Sequence, residues 1–400
     1  MPLMQEKYLI MVTLNNNNKF YKMVPDSDSK GFTVSYGRVG CAGQKTHYSA
    51  KDWDKIYNSK VAKGYVDQTA IMKVSLDDSE EEISFKPIKS ESVKELVETL
   101  QRLARQTVKS NYRISATEVT EAMVKEAEEL IRQMSYETEK VKFNRILLKL
   151  FEVIPRKMSN VMSFTARTDE EMPKIVQRES DLLDVMKGQI ATTSTTIKAD
   201  RKNNSGTILD TLGITIEDCS DEEAEQIKSH LDPDTRKRFG RAFVVRNHRT
   251  DAAFDAYCKK NDITKMKYFY HGSRSENWWS IINNGLKLNP TNVVITGKMF
   301  GQGIYFAPKA KKSAGYTSMQ GAYWTHGNSV TGYLAVYKIA YGKPYDVHSH
   351  SSSFYSLSDS SLKKQGYDCL HAHAGQMLMN DEVVVYNENA ATIRYLIELH

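Results

Sequence analysis

The sequence predicts a multidomain chain: an α+β module, an all-α bundle, and an α+β domain with a mostly antiparallel sheet. Three observations carry this. β-prone runs separated by turn residues fill the first 80 positions. Apolar stripes at helical spacing follow between about 90 and 190. Beyond position 200, β-prone runs return, interrupted by short capped helices. A length of 400 residues leaves room for two or three domains. Hydrophobic residues make up 40% of the chain, enough for real cores. No apolar run approaches the roughly 20 residues of a membrane helix.

In the first module, Tyr8–Leu14 and Lys19–Val24 read as strands around the turn signal Asn15–Asn18. Gly31–Gly40 reads as a strand running into a glycine-punctuated bend, and Ala50–Lys63 as a helix. Asp77–Glu82 is an acidic linker.

In the middle region, Ser92-x-x-Glu95 and Ser115-x-x-Glu118 have the capping-box pattern. The hydroxyl and the carboxylate each satisfy an orphan N–H of the first turn. Val93, Leu96, Val97, Leu100 and Leu103 recur at helical spacing, as do Met123, Ala127, Leu130, Ile131 and Met134. Ile146, Leu147, Leu150, Phe151 and Ile154 form a third stripe stopped by Pro155, and Leu182, Leu183 and Met186 a fourth. Residues 191–206, rich in Thr, Ser, Lys and Asn, read as a linker or exposed loop.

In the last region, Ser220-x-x-Glu223 caps a short helix, and Ser273-x-x-Glu276 caps another that ends at Gly285. Tyr268–Tyr270, Gly303–Phe306, Tyr333–Ile339, Glu382–Tyr386 and Thr392–Glu398 read as strands.

Bulk properties narrow the function classes. The start, Met1-Pro-Leu-Met-Gln-Glu6, lacks the basic and apolar segments of a secretory signal, so an intracellular, soluble protein is expected. Cys41, Cys219, Cys258 and Cys369 have no C-x-x-C spacing, so neither a disulfide framework nor a zinc finger is indicated. The net charge of +6 permits contact with a polyanion without arguing for it.

The chemistry-bearing residues fall in the last region. His271 stands where an apolar strand turns toward a helix, placed to hydrogen-bond a sugar hydroxyl. Gly272 lets a ligand approach the backbone closely, and Ser273 doubles as an N-cap. Taken alone, this string reads better as a satisfied histidine at a strand end. Gly301-Gln-Gly303 relaxes the chain ahead of Ile-Tyr305-Phe306. Tyr305 and Tyr316 flank a short helix, so their rings can sandwich a planar heterocycle such as nicotinamide.

Glu382 leads an almost unbroken apolar strand. A carboxylate there is costly without a partner or a task. Holding a ribose hydroxyl while stabilising an oxocarbenium-like transition state is such a task. Cys369, His371 and His373 alternate, so on a strand they share one face, a spacing that could ligate a metal. A fourth ligand is not evident, and no metal is expected.

In order, these segments resemble the poly(ADP-ribose) polymerase family of diphtheria-toxin-like ADP-ribosyltransferases. The family signature is a His, a Tyr and a Glu on separate strands, here His271, Tyr305 and Glu382. His271-Gly-Ser-Arg-Ser-Glu-Asn277, Gly297–Ala307 and Lys312-Ser-Ala-Gly-Tyr316 match the family's segments in the same order. The resemblance implies NAD+ as substrate and no metal. The Gly272 backbone and the Ser313 hydroxyl would hold the nicotinamide carboxamide, with Tyr316 and Tyr305 on either side of the ring and Lys312 in the same subsite. His271, helped by Ser273, would bind the adenine-side ribose. Glu382 would bind the nicotinamide ribose and polarise the acceptor. A Glu at the third position accompanies chain elongation in the family. Lys298 replaces a usual aromatic and Gln302 a common lysine, which puts acceptor choice and polymer length in question.

The first module resembles the WGR domain, with Tyr36-Gly37-Arg38 for the Trp-Gly-Arg signature, followed by Val39-Gly40. Tyr36 can stack on a sugar or base, and Arg38 can fork onto phosphate. The two resemblances imply a WGR-like DNA-binding domain over 1–80, a regulatory helical domain over 88–190 and a catalytic domain over 200–400. The bundle would block NAD+ access until a DNA break is bound. The expected protein is a DNA-break-stimulated transferase that modifies proteins, itself included, and elongates the polymer. Its alternatives are a mono-ADP-ribosyltransferase acting on protein or nucleic-acid ends and a feebly active DNA-end sensor. Expected partners are broken DNA and acceptor proteins, with no membrane. The expected location is DNA-associated, nuclear in a eukaryote and otherwise cytoplasm or nucleoid.

Overall fold

The computed structural model describes residues 4–69, 85–113, 119–200, 206–288, 299–375 and 378–400, with backbone alone for 191–200. The Asp77–Glu82 stretch, the Ser115–Glu118 pattern and the Gly297-Lys298 pair lie outside the described residues. The chain forms two compact units: Met1–Glu81 with Gln106–Ile190, and Glu82–Arg105 with Ala191–His400.

In the first unit, β1 (Lys7–Thr13), β2 (Asn17–Pro25), β3 (Gly31–Arg38) and β4 (Gln44–Ser49) form an antiparallel meander. A short β5 (Val66–Asp67) pairs with the free edge of β1. Asn16, at φ 60°, turns the chain between β1 and β2 in the left-handed conformation that asparagine tolerates. Leu9, Tyr21, Met23, Phe32 and Val34 pack against Trp53, the first residue of α1 (Trp53–Ala62).

The four apolar stripes lie on α2 (Glu91–Asn111), α3 (Glu121–Tyr136), α4 (Lys140–Val153) and α5 (Met172–Asp200). Met123, Ala127, Leu130, Ile131 and Met134 of α3 are buried, as are Phe143, Leu147, Leu150 and Phe151 of α4. Thr120 caps α3 by accepting from Met123 N. Pro155 follows the C-cap of α4, where a proline biases its predecessor away from helix. Between the helices, Arg156 Nη1 and Glu179 Oε2 form an ion pair at 2.9 Å with both side chains 2% exposed.

Two expectations are corrected here. Ser92 does not cap α2: Ser90 Oγ accepts from Val93 N at 3.2 Å, and the Ser92 hydroxyl donates to Asp218 instead. Residues 191–200 continue α5 rather than form a linker. Their Thr-rich run lacks the apolar stripe by which an amphipathic helix is recognised.

The second unit holds β6 (Ile214–Asp218), β7 (Phe239–Asn247), β8 (Met266–Gly272), β9 (Ile304–Phe306), β10 (Gly332–Ala340), β11 (Pro344–Val347), β12 (Cys369–Ala372), β13 (Glu382–Val385) and β14 (Ala391–Leu399). One sheet has the order β6-β7-β14-β10-β8 and the other β11-β12-β13-β9. Only the β11–β12 pair is parallel among the described strands, so the sheets are mostly antiparallel as expected. The sheets meet where Tyr270 and Ala307 exchange both backbone hydrogen bonds at 2.9 Å. That bridge sets the end of β8 beside β9.

The helix Trp278–Asn284 buries Trp278, Trp279 and Ile282 and ends at Gly285, where φ is 76°. The Ser220 capping box forms as expected. The Ser273 box does not: its hydroxyl accepts from Asn277 Nδ2 at 3.1 Å, and Glu276 accepts from Ser318. A short 3₁₀ turn, Ser275–Asn277, precedes the helix and moves its start past the reach of Ser273.

Candidate active site

His271 lies next to the end of β8, Tyr305 in the middle of β9, and Glu382 at the head of β13. The junction of the two sheets brings the first two together. His271 Nδ1 is 3.0 Å from the Tyr305 carbonyl oxygen. A carbonyl only accepts, so Nδ1 carries the proton and Nε2 presents a lone pair in the neutral ring. Burial lowers the imidazole pKa, which keeps the ring neutral near pH 7. The rings of Phe306, Tyr337 and Trp278 enclose it, with centroids at 5.7, 5.9 and 6.3 Å. Held this way, Nε2 is fixed as an acceptor for a ligand hydroxyl.

Gly272 touches the backbone of the helix Ala310–Ala314. A Cβ at this position would lie 1.8 Å from Ser313 O, so only glycine allows the approach. Ser313 is 5% exposed and its hydroxyl donates to Tyr270 O at 3.0 Å. The hydroxyl oxygen keeps its lone pairs for an incoming amide N–H.

Tyr305 is locked through its hydroxyl, which donates to Gly301 O at 2.8 Å and accepts from Phe300 N at 3.1 Å. Gly301 has φ 77°, which the loop ahead of β9 requires. Tyr316 stacks on Trp324, with centroids 5.9 Å apart and planes 19° from parallel.

Glu382 is 6% exposed. Its Oε1 is 2.5 Å from Lys312 Nζ, and its buried Oε2 has no hydrogen-bond partner among the described residues. Burial pushes the carboxyl pKa up, and the lysine charge opposes that rise. Burial pushes the Tyr316 phenol up to about 12, and the Glu382 charge adds to it. Tyr305 is raised in the same way, again with Glu382 among the causes. Both rings and the carboxylate therefore share one poorly solvated neighbourhood.

The expected DNA contacts belong to the other unit. Tyr36 lies 5.7 Å from the Tyr21 ring, centroid to centroid, with Lys60 Nζ 6.0 Å from its own centroid. The Arg38 fork, expected to meet phosphate, is engaged within the fold. Nε donates to Met158 O at 3.1 Å, Nη1 to Asn16 O at 3.1 Å, and Nη2 to Asn16 Oδ1 at 2.9 Å and Ser159 O at 2.7 Å.

Sequence reasoning missed the aromatic box of Trp278, Phe306 and Tyr337 and the Trp324 platform. These side chains converge through strand pairing, and no spacing along the chain marks them.

A histidine acceptor, two aromatic rings and a buried carboxylate with one unengaged oxygen thus all lie in the second unit, on and beside β8, β9 and β13. Residues 221–400 match the family described as the poly(ADP-ribose) polymerase catalytic domain, and residues 6–71 match the WGR domain. The chain is 34% identical over 185 residues to the uncharacterized protein 101L of Invertebrate iridescent virus 6, covering 46% of this chain and 76% of that one. It is 26% identical over 189 residues to the poly(ADP-ribose) polymerase-like protein 100L of the same virus, covering 46% and 99%. It is 29% identical over 165 residues to poly(ADP-ribose) polymerase 2 of Homo sapiens, covering 35% and 27%. The chain belongs to the poly(ADP-ribose) polymerase family and is an NAD+ ADP-ribosyltransferase. No helix among the described residues is long and apolar enough to cross a membrane.

Proposed function

We propose that this chain is a DNA-break-stimulated transferase that moves ADP-ribose from NAD+ to proteins, itself among them, and extends the product into poly(ADP-ribose). The observation that carries the chemistry is Glu382, buried and ion-paired through one oxygen, with the other unengaged. A ribose or acceptor hydroxyl that donates to Oε2 satisfies this atom, whose desolvation is otherwise uncompensated.

The remaining residues hold the donor. His271 Nε2 accepts from a hydroxyl of the adenine-side ribose. The Gly272 backbone and Ser313 Oγ take the carboxamide, and Tyr305 and Tyr316 flank the nicotinamide ring. The bond between ribose C1′ and the ring nitrogen breaks, and the ring leaves as neutral nicotinamide with the electron pair. Glu382 stabilises the positive charge that develops on the ribose. The acceptor oxygen then bonds to C1′ and gives up its proton by way of Glu382. Stimulation by DNA rests on the match of residues 6–71 to the WGR domain, with Tyr36 as the stacking residue.

The test is transfer of labelled ADP-ribose from NAD+ without DNA, with intact duplex, and with nicked duplex bearing a 5′-phosphate. The expected result is label on the protein, increased by the nick and resolved as a ladder on a gel. Equal transfer without DNA contradicts the stimulation, and single units alone contradict elongation. No transfer under any condition contradicts the enzyme reading.

A further inference from the structure

The edge of the second sheet carries a side-chain cluster that the transfer chemistry does not use. Asp346 on β11 stands opposite His371 on β12 in the parallel register, and His373 follows on the same face. Asp346, His371 and His373 each offer one ligand atom, and these atoms all lie within 4.8 Å of one another. Asp346 Oδ1 is 2.7 Å from His373 Nε2 and 4.0 Å from His371 Nδ1. Tetrahedral zinc with bonds near 2.0–2.1 Å needs donor pairs about 3.3 Å apart. The two Asp346 spacings straddle that value.

The nitrogens facing away from this point are already oriented. His371 Nε2 lies 3.1 Å from Asp381 Oδ2, and His373 Nδ1 lies 3.5 Å from the same atom. Asp381 is anchored by its other oxygen, which accepts from Ala374 N at 2.8 Å. One carboxylate thus addresses both imidazoles from behind, the outer-shell arrangement that fixes the tautomer of a metal-ligating histidine. Tyr341 hydroxyl lies 2.7 Å from His371 Nδ1. With the ring proton on Nε2 facing Asp381, the phenol donates to the Nδ1 lone pair, so an ion takes that lone pair only when the Tyr341 proton turns away.

We infer that Asp346, His371 and His373 form a binding site for a single divalent borderline transition-metal ion, zinc being the natural occupant of such a donor set. Three protein ligands leave a further position for water on the side of Asp346, whose side chain is 50% exposed. His-x-His on one strand with a carboxylate on its neighbour supplies the ligands, and Asp381 supplies the outer shell. The sequence grouped His371 and His373 with Cys369, whose thiol donates to Tyr341 O instead, and Asp346 becomes visible only through the β11–β12 register. The chain position after Asp381 is Glu382, so an ion here steadies the backbone that delivers the transferase carboxylate.

The experiment uses the tag-free 400-residue chain titrated with Co2+ as a spectroscopic probe and with Zn2+ as competitor. The expected result is a saturating visible band of tetrahedral Co2+ at one ion per chain, bleached by Zn2+, with a raised melting temperature. Asp346→Asn, on a carboxylate whose side chain is 50% exposed, weakens Co2+ binding at least about tenfold. His373→Gln does the same, and Asp381→Asn weakens it about 10–100-fold by loosening both rings. No saturable band, or equal affinity in wild type and Asp346→Asn with its circular dichroism unchanged, overturns the site. These readouts are independent of transferase activity.

Discussion

Lys312 Nζ lies 2.5 Å from Glu382 Oε1 in a setting where the lysine is 14% exposed and the glutamate 7% at the side chain. The lysine charge counters the burial that raises the Glu382 pKa. A carboxylate with a raised pKa is ionised only above that pKa, so activity that needs the anion is lost as pH falls through it. Lys312→Met removes the opposing charge and moves the acid limb of the kcat/KM profile to higher pH. Activity at pH 7 falls about 10–100-fold. Lys312→Arg keeps the charge and recovers part of the loss. An acid limb that does not move in Lys312→Met would separate the lysine from the ionisation of Glu382.

Gly272 has no room for a methyl group, since its Cβ would lie 1.8 Å from Ser313 O. Gly272→Ala must push the helix Ala310–Ala314 away from β8. Overpacking of this kind costs about 1–3 kcal/mol. It also displaces Ser313, so kcat/KM for NAD+ falls about 100-fold or more, as misplaced binding groups do. Thermal melting and steady-state kinetics check both. Wild-type kinetics in this variant would show that the close contact does not position the donor.

Arg38 makes four hydrogen bonds to Asn16, Met158 and Ser159. Its main contribution is therefore to the stability of the first unit. Arg38→Ala lowers stability by about 2–4 kcal/mol, at roughly 1 kcal/mol per bond. Affinity of the folded variant for nicked DNA, measured by anisotropy well below its melting point, changes less than about threefold. A variant that melts like wild type but binds DNA tenfold more weakly would reverse this assignment and restore the phosphate contact.

Glu152 on α4 accepts from Val12 N on β1 at 3.4 Å, and burial pushes its pKa up to about 7. The unfolded chain has the ordinary value of 4.5. Its contribution to stability is thus fully present below pH 4.5 and is lost as pH rises through 7. Glu152→Gln keeps an acceptor for Val12 N and removes the titration. The variant is more stable than wild type by roughly 1–3 kcal/mol at pH 8, and the gap narrows toward pH 5. Melting curves across pH 5–8 check this, and parallel curves for the two proteins would contradict it.

Much of the fold was legible because one face of each element is buried. The stripe of α3 appears as read, down to the buried residues, while in α4 Leu147, Leu150 and Phe151 are buried, Ile146 is only half-buried and Ile154 is the C-cap. β11 and β12 went unread for a physical reason. Each has four residues, and β12 is buried throughout, so neither shows alternation. β7 was hidden by Gly240 and by Arg241, which pairs with Glu95 and Glu398.

At the site, the order His271, Tyr305, Glu382 was legible, while the distances were not. The Lys312–Glu382 pair joins residues far apart in the chain, and only the meeting of helix and strand creates it. The carbonyl partners of Arg38 were not legible either, because its residue type suits phosphate and backbone carbonyls equally well. Which of the two it meets depends on where residues 158 and 159 run.

The central claim is that Glu382 delivers the charge on which transfer depends. Glu382→Gln keeps size and hydrogen-bonding shape but removes the anion. The deciding measurement is single-turnover transfer of ADP-ribose from NAD+ by wild type and this variant at equal NAD+ occupancy. A fall of at least about 100-fold in the transfer rate, with NAD+ affinity held within a few-fold, is the predicted result. Transfer and polymer length equal to wild type in Glu382→Gln would contradict it.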